Sequence, residues 1–141
     1  MTTTREGFVS SIMASLGADE QLQADGVVVK RSIYEAIGSD EPRVVVVHRG
    51  RDPVLASTIG RTTRQCELLI TAVVRDSAPD QAADAIFERA HPIVMSFDGP
   101  SVVGIEEVAT EEPDAADIDG GVGVMTMRYA IQYQTAPDSL L

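Results

Sequence analysis

The stretch GVMTMRYAIQYQT near the C-terminus constrains the fold more than any other, because it alternates without a break. Met125, Met127, Tyr129, Ile131 and Tyr133 fall on one face, and Val124, Thr126, Arg128, Ala130 and Gln132 on the other. A repeat of two residues marks a strand with one buried face. A strand this regular, arriving after the others, is expected inside a sheet, where its partners are already made. RQCELLITAVVRD alternates in the same way through Cys66, Leu68, Ile70, Ala72 and Val74. RVVVVH carries four consecutive valines, which suits a strand covered on both faces or nearly so.

Two segments read as helices instead. Thr3 and Glu6 form a capping box ahead of Phe8, Val9, Ile12, Met13 and Leu16, which share one helical face up to Gly17. In SAPDQAADAIFERAHPIVMSF, Ser77 is an N-cap candidate and Pro79 sits where its missing N–H costs little. Ala83, Ile86, Phe87, Ala90, Val94 and Phe97 make the stripe, and Pro92 is expected to kink or split the helix near His91. ADEQLQADG reads as a polar connector with a short helical turn, VVVKRSIYEAI as a strand that loses regularity, and SVVGIEEVAT as a strand interrupted by Gly104.

The connections are too short for parallel crossovers except around the second helix. The expected architecture is therefore α+β: a mostly antiparallel sheet of four to five strands with two helices packed on one face. The length suits a single domain over residues 1–141, able to bury about 70% of its unfolded surface. Two loops are expected, a long exposed basic one over 49–64 and an acidic one over 109–121.

Composition narrows the chemistry. Aromatics are 4% of residues and there is no Trp, so Val, Ile, Leu, Ala and Met must build the core. The single Cys66 allows no internal disulfide, and its apolar setting suits a buried thiol in a reducing compartment. No signal peptide and no membrane-length apolar run is evident, so a soluble, cytoplasmic chain is expected. A net charge of -11 opposes adhesion to nucleic acid or to an anionic bilayer. The charge is uneven: Lys30 to Arg64 carries +3 and the remainder -14.

Catalytic and metal motifs fail on context. The glycines of GGVGV lead into a strand, without the strand-before, helix-after setting of a phosphate loop. Asp117, Asp119 and Gly120 match the middle of an EF-hand loop, but Ala115 and Thr126 stand at its first and last ligand positions. His48 and His91 have no zinc-spaced neighbours, and no Gly-x-Ser-x-Gly occurs. Glu106 and Glu107 are adjacent on a strand and point to opposite faces. Arg49, Arg51, Arg61 and Arg64 lack the interleaved aromatics of a single-strand nucleic-acid platform. No cofactor, metal or catalytic residue is expected.

Taken in order, REGFVSSIMASL, VKRSIYEAI leading into EPRVVVVHRG, ITAVVRD, DQAADAIFERAHPIV and MTMRYAIQYQTAPDSL resemble the phage tail terminator family, the minor tail protein U type. The final strand, with its Tyr-x-x-x-Tyr-x-Thr pattern, is the most specific element. Pro92 and the GRDPVLASTIGRTT stretch depart from the pattern. The resemblance implies a structural protein: a hexameric ring on the virion tail that caps the last tail-tube ring, halts tube growth and offers a surface to a head-completion or neck protein. Assembly in the host cytoplasm is implied with it. A ring needs heterologous contacts that close on themselves. The uneven charge suggests that Arg49, Arg51, Arg61 and Arg64 of one copy face Glu111, Glu112, Asp114 and Asp117 of the next, with spare acids lining a bore that DNA passes without sticking. The competing readings are another head–tail neck protein, or a small-ligand or enzymatic α+β domain built around Tyr34, Tyr129, Tyr133, His91 and Arg128.

Overall fold

The computed structural model of the protein describes residues 2–38, 40–116 and 122–141. Its elements run α1 (Thr4–Gly17), α2 (Glu20–Ala24), β1 (Val28–Lys30), α3 (Ile33–Gly38), β2 (Arg43–Arg49), β3 (Val54–Thr58), β4 (Arg61–Arg75), α4 (Pro79–Met95), β5 (Val102–Thr110), β6 (Asp114–Ala116) and β7 (Val122–Thr135). The strands form one sheet in the order β1-β2-β4-β7-β5, with β3 added to β4 and β6 to β7. Every pairing is antiparallel except β1 with β2. The fold is α+β, as the patterning predicts. The parallel pair flanks the short helix α3 and not α4: β4 and β5, on either side of α4, both pair with β7 and never with each other.

The closing strand is an inner one. β7 is paired with β4 from Thr62↔Thr135 to Arg75↔Val122, and its other edge takes β5 and β6. Its buried face carries Tyr129, Ile131 and Tyr133, each at most 1% exposed. These meet the even-numbered face of β4 and the apolar stripes of α1 and α4 to form the main core. Phe8 of α1 stands edge-on to Phe97 and to Tyr133, with ring centroids 5.6 and 5.0 Å apart.

The four valines of β2 divide between two cores. Val45 and Val47 face α1 and α4, while Val44 and Val46 join Ala36, Val73 and Val122 in a small cluster on the opposite face, where α3 lies. The expected two helices on one face are α1 and α4; α2 adds Leu22 to that side, and α3 covers one end of the other. The strand expected over VVVKRSIYEAI is three residues of β1 followed by α3.

Local signals at the helix ends held unevenly. Thr3 caps α1, its hydroxyl accepting from the Glu6 N–H at 3.3 Å. The N-cap of α4 is Ala78, not Ser77, and Asp76 Oδ1 accepts from the Ala78 N–H at 3.0 Å. Helix α4 runs unbroken through Pro92. The proline is exposed and three residues from the helix end, so its missing donor removes one rung near the terminus. Gly123 of β7 is fixed by packing against the start of α4, since a Cβ there would stand 2.1 Å from Pro79 Cβ.

Candidate assembly interface

The segment expected as a loop over 49–64 is the far half of a long β-hairpin. β2 and β3 both pair with β4, from Arg43↔Val74 to Thr58↔Arg61, and the chain turns at Ile59 and Gly60. Gly60 has φ +91°, the left-handed value that the second position of such a turn requires. Between β2 and β3 the ladder persists irregularly: Glu67 N–H donates to Arg51 O at 2.8 Å and Gln65 N–H to Pro53 O at 3.0 Å. Sequence periodicity fails here because all five residues of β3 are exposed, leaving no apolar face to alternate. The acidic segment behaves likewise. β5 and β6 run along β7, bridged by Glu111 N–H donating to Thr126 O at 2.8 Å. The expected loop thus begins inside β5 and contains β6; residues 117–121 lie outside the described residues.

The two hairpins point opposite ways. The β3–β4 turn lies beyond Thr135 of β7, whereas β6 lies beside Val122–Val124, at the other end. β4 alone spans 15 residues, about 45 Å at the ~3.3 Å rise of a strand; the charged groups are spread along it, with Arg51 level with Glu67, Arg64 with Tyr133, Glu111 beside Thr126 and Asp114 beside Val124.

The individual charges are placed as follows. Arg49 Nε lies 3.1 Å from Glu6 of the same chain. Arg61 donates to Gln134 Oε1 at 3.0 Å and Arg64 to Thr135 Oγ1 at 3.2 Å. Among the described residues, Arg51, Arg61 and Arg64 have no ion pair. Glu111 pairs with Arg128, which also reaches Glu67 at 3.4 Å; Glu112 is exposed. Asp114 is placed by the backbone of β6, and Asp117 lies outside the described residues. The structure therefore leaves three of the four arginines available to a partner and engages Glu111 internally.

The residues proposed for a pocket do not converge. Tyr34 is 85% exposed on α3. Tyr129 Oη lies 2.7 Å from His91 Nδ1, while Arg128 is on the opposite face of the sheet with Glu67 and Glu111. Tyr133 donates to Asp52 Oδ2 at 2.6 Å, and Arg5 donates to the same oxygen at 2.7 Å. Burial, then the bonded Asp52 carboxylate, holds the Tyr133 phenol above its ordinary pKa. This clasp ties the hairpin arm to α1 and β7. No sequence pattern announces it, because its members are 47 and 81 positions apart. An open groove of about 930 Å³ between α1 and the end of α4 is floored by Phe8, Ile93 and Phe97. Among the described residues, no group of three or more His, Cys, Asp or Glu is placed to hold a metal, and no helix is long and apolar enough to cross a membrane.

His48 is half-buried on the sheet face opposite α1, with Nε2 3.0 Å from Thr71 Oγ1. Burial, with the charges of Arg31 and Arg128 second, lowers its pKa. The unfolded chain therefore takes up this proton first as pH falls below the ordinary histidine value of about 6.5, and stability drops in that range. His48→Gln keeps a partner for Thr71 and is expected to flatten the dependence of the urea midpoint on pH between about 7 and 5.5. An unchanged slope would show that His48 is not its source.

These elements define an α+β protein whose open features are two oppositely directed hairpins and the exposed edges beside them. The fold is that of a chain in the virion of a native gene transfer agent particle: TM-score 0.61, 14% identity, covering 88% of this chain and 92% of that chain. At this identity the likeness is one of fold. No family model and no curated protein matches the sequence.

Proposed function

We propose that the protein is a structural component of a phage-type virion and acts as a tail terminator: a ring that caps the tail tube, stops its polymerisation and presents the head-joining surface. The observation that carries this reading is the likeness of nearly the whole chain to nearly the whole of a virion chain. The order of sequence elements, ending on the alternating β7, supports the terminator assignment within that class. A basic β3 arm and an acidic β5–β6 edge on one sheet support head-to-tail association, since distinct complementary patches generate rings and self-complementary ones generate dimers. In this ring Arg51, Arg61 and Arg64 of one copy meet the Glu111–Asp117 segment of the next. The further partners are the tail tube protein and a head-completion or neck protein.

The test is to add the purified protein to polymerising tail tubes from the genome that encodes it and to image them by negative stain. Density at one tube end and a halted length distribution are expected. Tubes that elongate unchanged with bare ends would refute the terminator role. Ring formation that is indifferent to raising salt from 50 to 500 mM would refute the charge pairing alone, because exposed pairs are screened over that range.

A further inference from the structure

At the level of Arg64 the sheet runs β3-β4-β7-β5, so β3 and β5 are its two lateral edges. Among the described residues both edges lack a strand neighbour on the outer side, and both carry apolar side chains in solvent. Val54 and Leu55 are 52% and 49% exposed on β3; Val103 and Val108 are 60% and 57% exposed on β5. Unpaired, apolar strand edges invite association with another chain. Here the two edges also differ in charge. Arg51, Arg61 and Arg64 flank β3, whereas Glu106 and Glu107 lie within β5 and Glu111 and Glu112 follow it.

We propose that the β3 edge of one copy docks along the β5 edge of a second copy, and that this contact closes the ring. The occupant is another copy of this chain because the two edges share apolar character and carry opposite charge, and the five residues of β3 fit within the nine of β5. Charge also removes the alternatives: β5 against β5 sets glutamates together and β3 against β3 sets arginines together, so the isologous dimers are disfavoured. Direction fits as well. β3 runs antiparallel to β5 within one copy, and repetition about an axis inclined to the strands keeps that relation between copies while staggering β3 along β5, as tilted strands do in a closed barrel. The sheet then continues around the ring with unbroken antiparallel alternation. Register shifts at Val102/Gly104 and Glu107/Ala109 make β5 irregular. Such bulges discourage indiscriminate strand addition, which leaves selection to the side chains. The proposal refines the ring of the terminator reading and rests on it for closure, but the contact itself is open to a direct test.

Leu55→Cys and Val108→Cys place thiols on the two edges, at positions already exposed. The native Cys66 stays inert because it is buried and its pKa is pushed up to about 11. Under mild oxidation, mixing the two single variants is expected to give a disulfide heterodimer, and the double variant a ladder of oligomers that ends in a closed species. Arg51→Glu with Arg61→Glu should weaken association at least about tenfold, and Glu106→Lys with Glu112→Lys in the partner should restore it. A heterodimer yield no greater than either single variant gives alone overturns the edge contact, whether the protein is free in solution or seated on tube ends. If tubes are capped without that cross-link, the terminator reading stands and the edge pairing falls. If the cross-link forms but wild-type protein leaves tubes growing, the edge pairing stands and the terminator reading falls.

Discussion

Asp52→Ala is expected to destabilise the protein by about 3 kcal/mol, the lower end of the cost of breaking a buried ion pair by removing one partner. The Asp52 side chain is 8% exposed and that of Arg5 26%. One carboxylate oxygen accepts from both Arg5 and Tyr133, so alanine leaves a largely covered guanidinium and a covered phenol without their acceptor. Partial exposure of Arg5 sets the estimate at the low end. Tyr133→Phe removes one neutral donor and should cost about 1 kcal/mol. Replacing both charges at once, with Arg5→Met and Asp52→Leu, should cost less than Asp52→Ala alone, because neither charge is then stranded. Urea midpoints at pH 7 measure all three. If the double replacement is worse than the single one, the clasp is not an ion pair in the energetic sense. Asp52 lies in the bridge between β2 and β3, so its loss should also loosen the arm that carries the β3 edge.

Phe8→Ala should cost about 3–5 kcal/mol, the usual range for deleting a buried phenylalanine. Phe8 is 2% exposed and joins α1 to the end of α4 through Phe97 and to β7 through Tyr133. Both neighbouring rings, Phe97 and Tyr133, lose an edge contact when the Phe8 ring is removed. Phe8→Leu keeps most of the volume and loses the edge contacts, and its cost should stay below about 1.5 kcal/mol. Equal losses for the two variants would show that ring geometry, and not volume, dominates at this point.

How far the fold could be read from the residues followed the clarity of burial. β4 and β7 bury one face along nearly their whole length, so alternation found them, and the stripes of α1 and α4 declared the helices in the same way. Prediction failed where burial gives no contrast. Every residue of β3 is exposed, and a Gly-Arg-Asp-Pro interruption precedes it, so backbone pairing with β4 left no trace in the order of side chains. β6 is three residues long, and α3 covers a core of five small residues, both too short for a period to register. Candidate interface residues were legible as charge but not as partners. That Arg49 serves Glu6, and Glu111 serves Arg128, depends on contacts between segments far apart in the chain.

The inner position of β7 sets the timing of folding. Its partners in β4 lie 47 to 73 residues earlier in the chain, from Arg75↔Val122 to Thr62↔Thr135. Contacts of such high order form slowly and reward the chain only late. A nascent polypeptide must therefore hold β4 and β5 unjoined until β7 emerges to bridge them.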